Sequence, residues 1–177
     1  GGVAIPFAGA VPKIAEDAFI ARGAVVVGNV EIESGAGVWF NSVVRADVNS
    51  IVIGKKTNLQ DGSVVHVTRK TQGTFIGANI TIGHMALIHG CRLEDNCFIG
   101  MRATIMDGAL IENRAMVAAG AVVTPNKVVP SEELWGGVPA TKMRDLTKSE
   151  LEYMQNSAAH YAKLAEVYRT AAGDGHA

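Results

Sequence analysis

Residues 93–129 read LEDNCFIGMRATIMDGALIENRAMVAAGAVVTPNKVV, in which Leu93, Ile99, Ile105, Ile111, Val117, Val123 and Val129 recur at every sixth position. A period of six is neither the 3.6 of an amphipathic helix nor the 2 of one long strand. Self-similarity at a fixed short period is the mark of a solenoid, in which each unit packs on its neighbours. Toward the N-terminus the same beat runs through Ile82 and Ile76, then Val65, Leu59 and Ile53, then Val44, Val38, Ile32, Val26 and Ile20. Three places break it. A five-residue step joins Ile88 to Leu93, a five-residue loop lies within Thr68–Thr74, and a three-residue insertion follows Val44.

Three residues after the aliphatic position stands Gly or Asn in many units: Gly23, Asn29, Gly35, Asn41, Gly62, Asn79, Asn96, Gly108, Gly120 and Asn126. These types tolerate positive φ, so each unit reads as a short strand followed by a left-handed corner. One residue further the side chain is small, as at Ala24, Ala36, Ser42, Ser63, Ala86, Cys97, Ala103, Ala109, Ala115 and Ala121, which lets the corner close on the interior. An ordinary sandwich of short strands would alternate and vary its turn spacing. The pattern resembles the hexapeptide-repeat family, and that resemblance implies an all-β solenoid. It would be a left-handed parallel β-helix with three six-residue units per coil, a handedness opposite to the usual crossover rule.

Residues 1–139 are expected to form this prism, and residues 140–177 a linker and a helix that packs on it. Thr147 and Glu150 make a capping box. Behind it Leu151, Met154, Ala158, Tyr161, Ala165 and Tyr168 share one helical face, which must bury itself on its own prism or a neighbour's. The tail from Ala171 reads as frayed, with His176 in it irrelevant. At 177 residues, 48% hydrophobic and 6% aromatic, the chain can bury a continuous Val, Ile and Ala core. A net charge of -1 argues against nucleic acid or a charged membrane surface as partner. No apolar run approaches the roughly 20 residues of a membrane span. No secretory signal is visible, and the start at Gly1 suggests a trimmed native N-terminus. Cys91 and Cys97 read as buried thiols rather than a disulfide, and a reducing cytoplasm is the default compartment.

Counting units places His66 and His89 directly after Val65 and Ile88, three units apart, on one face of successive coils. Stacked parallel strands lie about 4.7–4.9 Å apart, so both imidazoles can reach one ion. Arg45 falls in the same column beneath His66. His84 follows Ile82 by two positions, stacks over Asp61, and points from another part of the prism. A three-histidine site therefore needs His84 from a neighbouring subunit, which suggests a homotrimer with sites between protomers. His160 reads as an ordinary histidine. Arg45, Asp47 and Asp61 read either as solvated charges or as interface groups, with an Arg45–Asp61 pair fixing register. Gln60 reads equally as a corner residue or a functional one.

The segments Arg45-Ala46-Asp47, residues 58–66 (NLQDGSVVH) and residues 82–91 (IGHMALIHGC) resemble the signature of the gamma-class carbonic anhydrase family. The resemblance implies a homotrimer that binds zinc, or iron or cobalt, through His66 and His89 of one chain and His84 of the next. It further implies that Arg45 and Asp61 belong to the interface, that Gln60 holds the metal-bound hydroxide with Asn58 nearby, and that Tyr161 comes near the metal. The reaction would be reversible hydration of carbon dioxide to bicarbonate. Three neutral nitrogen ligands leave an open position where water ionises near pH 7, an established property of zinc-bound water in carbonic anhydrases at large. Met101 and Met106, one coil beyond His84 and His89, would wall the substrate. The family's efficient members carry glutamates near the metal for proton export. Here Val48 follows the Arg-x-Asp motif, and the loop Thr68–Thr74 is short and basic, with Tyr161 a weak substitute. Two other readings stand beside the hydratase: a metal-binding trimer without that activity, and a hexapeptide acyltransferase using one histidine as base.

Overall fold

The computed structural model describes residues 1–171, so the expectations for the tail and His176 lie outside the described residues. It is a left-handed parallel β-helix, and the aliphatic columns of the sequence are its interior. One column stacks Ile20, Val38, Leu59, Ile82, Ile99, Val117 and Trp135, which counts seven coils. A second stacks Val26, Val44, Val65, Ile88, Ile105 and Val123. The third stacks Ile14, Ile32, Ile53, Ile76, Leu93, Ile111 and Val129. Nearly all of these side chains are sealed from solvent. Parallel strands buried in this way need no alternation in sequence; the core demands only that one side chain per unit point inward.

Nine of the ten corner residues named from the sequence have positive φ. Asn29 does not. There the strand Val25–Ile32 runs straight through the corner and bulges against Val43–Ile53, and the left-handed residue is Gly28. A Cβ at Gly28 would meet the Ala46 carbonyl oxygen at 2.4 Å, so only glycine allows that approach. These two long strands join two faces of the prism into one 12-stranded sheet, while the third face is an eight-stranded sheet. The small residues behind the corners, Ala24 through Ala121, are all buried.

The helix Lys148–Ala171 lies on the eight-stranded sheet of its own chain. Its capping box forms as expected. Thr147 Oγ1 accepts from the Glu150 amide at 3.3 Å, and Glu150 Oε2 accepts from the Thr147 amide at 2.8 Å. The Arg144 guanidinium, gripping both Glu150 oxygens, holds that carboxyl at about 2. Met154, Ala158 and Ala165 are buried beneath the helix. Tyr161 stands edge-on to Trp39 with centroids 5.4 Å apart, and Tyr168 packs against Phe19, Trp39 and Phe40. His160 is exposed and rests edge-on against Tyr161.

Ile99 sits midway along its column with no solvent exposure. Ile99→Ala leaves a cavity that two adjacent rungs cannot fill, and is expected to cost about 2–5 kcal/mol. Urea unfolding followed by circular dichroism reads this, and a loss below about 1 kcal/mol would mean the interior collapses freely around missing groups.

Candidate metal centre

His66 ends the strand Val64–His66 and His89 ends Leu87–His89, and the two are direct register partners. Val65 and Ile88 point into the core, so period-two alternation turns the next residue outward at each position. The rings lie 5.1 Å apart by centroid, and His66 Nδ1 is 3.1 Å from His89 Nε2. Each ring has its far nitrogen on a carboxylate: His66 Nε2 is 3.0 Å from Asp47 Oδ1, and His89 Nδ1 is 2.6 Å from Asp107 Oδ1. The second oxygen of Asp47 is held by Arg45, and that of Asp107 by the Thr68 hydroxyl. The His66 hydrogen bond, reinforced by Arg45, holds Asp47 below the ordinary carboxylate range. Partial burial works to raise Asp107, but the Thr68 and His89 hydrogen bonds outweigh it and the carboxyl stays low.

This arrangement decides what the rings offer. Ionised carboxylates only accept, so wherever a ring is neutral its outer nitrogen would carry the proton and its inner nitrogen a lone pair. At 3.1 Å the two inner nitrogens can share either a proton, as an N–H···N bond, or a metal cation. Two zinc–nitrogen bonds at a tetrahedral angle would separate their donor atoms by about 3.3 Å. The two inner nitrogens thus fit a divalent ion, with carboxylates behind them as in metal sites generally.

His84 sits elsewhere. The register of Ile82 on Leu59 brings it over Asp61, with Nδ1 2.8 Å from Asp61 Oδ2, and both side chains are about two-fifths exposed. Its neighbours are the polar residues of the eight-stranded face. Asn58 Nδ2 donates to Ile80 O at 3.3 Å and Thr81 Oγ1 at 3.0 Å, so its Oδ1 is turned to accept from Gln60 Nε2 at 3.2 Å. Gln60, only 5% exposed, is therefore fixed at its nitrogen end and presents Oε1. A groove of about 400 Å³ is lined by Gln60, His84, Met101 and Tyr161. Burial first, then the Asp61 charge, raises the Tyr161 phenol.

Within one chain the candidate residues fall into two groups. Arg45, Asp47, His66 and His89 meet at one corner, and Met106 follows Ile105, the register partner of Ile88 on the next coil. Asn58, Gln60, Asp61, His84 and Tyr161 gather at another, where Met101 stacks on His84. Arg45 engages Asp47 in its own chain, and Asp61 engages His84. Among the described residues no three His, Cys, Asp or Glu side chains of one chain are placed to hold a metal ion together. Val48 is 41% exposed beside Asp47. Sequence reasoning missed Asp107 and Thr68. Asp107 sits in a regular unit ahead of Gly108, where an Asp-Gly pair reads as turn chemistry.

A family model described as the hexapeptide repeat of succinyl-transferase matches residues 91–125. Gamma carbonic anhydrase 2, mitochondrial, of Arabidopsis thaliana is 46% identical over 162 residues, covering 89% of this chain and 58% of the plant protein. The chain thus spans under three-fifths of that relative's length. The probable carbonic anhydrase of Methanocaldococcus jannaschii is 46% identical over 153 residues, covering 86% of this chain and 96% of its own. The crystal structure of a hexapeptide transferase family protein from Anaplasma phagocytophilum superposes with a TM-score of 0.90 at 42% identity, covering 94% of this chain and 98% of the other. No helix among the described residues is long and apolar enough to cross a membrane. With likeness of this extent running along nearly the whole archaeal relative, the chain belongs to the gamma-class carbonic anhydrase family of hexapeptide-repeat proteins.

Proposed function

We propose that this chain catalyses the reversible hydration of carbon dioxide to bicarbonate as a homotrimer, with zinc shared between His66 and His89 of one protomer and His84 of the next. The observation that carries the proposal is the 3.1 Å approach of His66 Nδ1 and His89 Nε2, with a carboxylate behind each ring. Two donors do not complete a tetrahedral site, and the groove at His84 holds the third imidazole and the polar groups the reaction needs. Three-fold packing brings one corner of a prism against the other corner of its neighbour. The same packing would let Arg45 and Asp61 face each other across the interface.

The ion, when bound, supplies Lewis acidity that ionises water near neutral pH. The chain supplies the rest. Gln60, anchored through Asn58 and Thr81, offers Oε1 to accept the hydroxide proton, which turns an oxygen lone pair toward the carbon. Zinc held by the three imidazoles would supply the nucleophilic oxygen, and its addition to carbon dioxide would give bicarbonate. Met101 presents an apolar surface that carbon dioxide, lacking charge, meets without a desolvation cost. Iron or cobalt suits the same donors, since imidazole ligates several divalent transition metals. The two thiols suit a reducing compartment: both are buried, and burial pushes Cys91 up to about 12. The cytoplasm meets that condition, as does the mitochondrion named for the plant relatives.

Purified protein is expected to carry about one divalent ion per protomer. Stopped-flow hydration should vanish on chelation and return with zinc. Metal-loaded protein without hydration would leave a metal-binding family member that lacks the reaction, and metal-free protein with acyl transfer would favour the chemistry of the transferase-like relatives.

A further inference from the structure

The loop Thr68–Thr74, which offers no carboxylate for proton export, meets the candidate centre at both of its ends. The Thr68 hydroxyl donates to Asp107 Oδ2, and Asp107 Oδ1 lies 2.6 Å from His89 Nδ1. Other bonds fasten this contact in place. Thr74 Oγ1 donates to His66 O at 2.6 Å and accepts from the Gly90 amide at 2.9 Å, while the Gly108 amide donates to Gly90 O at 2.7 Å. Gly90 permits the approach. It has φ +55°, and a Cβ there would come within 3.0 Å of the Asp107 carboxyl carbon.

We propose that Thr68 and Asp107 are positioning residues that fix His89 as the Nδ1–H tautomer and so leave its Nε2 as the donor toward a divalent cation. The toward-metal half rests on the function proposed above; the tautomer half does not. A part-exposed imidazole otherwise rotates about its side chain and exchanges tautomers, and a backing carboxylate ends both freedoms while raising the basicity of the opposite nitrogen. The two rings are braced in opposite senses. Asp47 holds His66 through Nε2 and frees Nδ1, whereas Asp107 holds His89 through Nδ1 and frees Nε2. Only this pairing aims both free nitrogens at one point. The insertion after Val67 thereby acquires a purpose: it carries Thr68 across to a carboxylate 39 residues away.

The test uses full-length protein, stripped of metal, with ¹⁵N NMR of the histidine rings at pH 8. Wild-type His89 is expected as the Nδ1–H tautomer, shifting toward Nε2–H in Asp107→Ala and partly in Thr68→Val, and retained in Asp107→Asn because its Oδ1 still accepts. Competition with a zinc chelator should then show affinity about 100-fold weaker for Asp107→Ala and about 10-fold weaker for Asp107→Asn and Thr68→Val. An unchanged His89 tautomer in Asp107→Ala, or in Thr68→Val should the alanine variant misfold, overturns the relay whatever zinc does. A shifted tautomer in a chain whose wild type takes up no zinc upholds the relay and overturns the shared metal site instead.

Discussion

His84→Ala is expected to lose its metal and its hydration activity together while keeping the prism. The side chain is two-fifths exposed and its polar partner among the described residues is Asp61, so its removal empties no part of the interior. His66→Ala or His89→Ala should be equally inactive, but by damage to the other half of the centre. Mixing tells the two halves apart. If subunits of His84→Ala and His89→Ala are unfolded together and refolded as one pool, an intact site forms wherever the first variant's His66 and His89 meet the second variant's His84. Random assembly into three-fold rings should restore about a quarter of the wild-type metal and activity from two dead parents. A site closed within one chain gives no rescue. Recovery of nothing from a well-mixed pool, or full metal retention by His84→Ala alone, would sink the shared centre.

The fold is legible in the sequence because its decisive feature is a one-dimensional count. Every sixth side chain from Ile20 to Val129 enters the core, and the register of Val65 on Ile88 and of Leu59 on Ile82 follows from that count once the insertions are subtracted. The same arithmetic stacks His89 on His66 and His84 on Asp61. It fails where the backbone departs from the period without changing it. Val26 to Ile32 keeps the six-residue step, yet the corner becomes a bulge and the left-handed residue moves from Asn29 to Gly28. Corners also tolerate more than glycine and asparagine: Lys56, Met85, Arg102, Arg114 and Glu132 all have positive φ. Each carries a local cost of about 1–2 kcal/mol that the surrounding coils impose. Left-handedness of the whole coil comes from resemblance, since no spacing encodes it.

Asp107 escapes the count for a related reason. Nothing around it breaks the repeat, and its partner Thr68 lies in the irregular loop that counting units simply subtracts. Insertions in a solenoid are where unit counting is blind and where side chains reach across rungs, so a polar residue on each side of an insertion is the signal that could have found the pair. The aromatic cluster beneath the helix is only half legible. Helical periodicity puts Tyr161 and Tyr168 on the buried face, but their partners Phe19, Trp39 and Phe40 occupy positions that a six-residue period leaves free to face outward.

Val48→Glu is expected to raise kcat by about 100-fold in weak buffer, the scale of a positioned proton-transfer group. In the proposed reaction each hydration cycle would export a proton from the centre, and no carboxylate in the loop Thr68–Thr74 stands ready to carry it. Asp47 is beside the site but spends its oxygens on Arg45 and His66, which keeps it deprotonated and engaged. Val48, one residue on and 41% exposed, has room for a longer side chain. Because proton export follows bond formation, kcat should rise while kcat/KM stays level. Wild-type kcat should likewise climb with imidazole buffer concentration, since an external base replaces the missing carrier, and the glutamate variant should lose that dependence. A wild-type rate indifferent to buffer would mean that export is not limiting, and the short basic loop would then have no bearing on turnover.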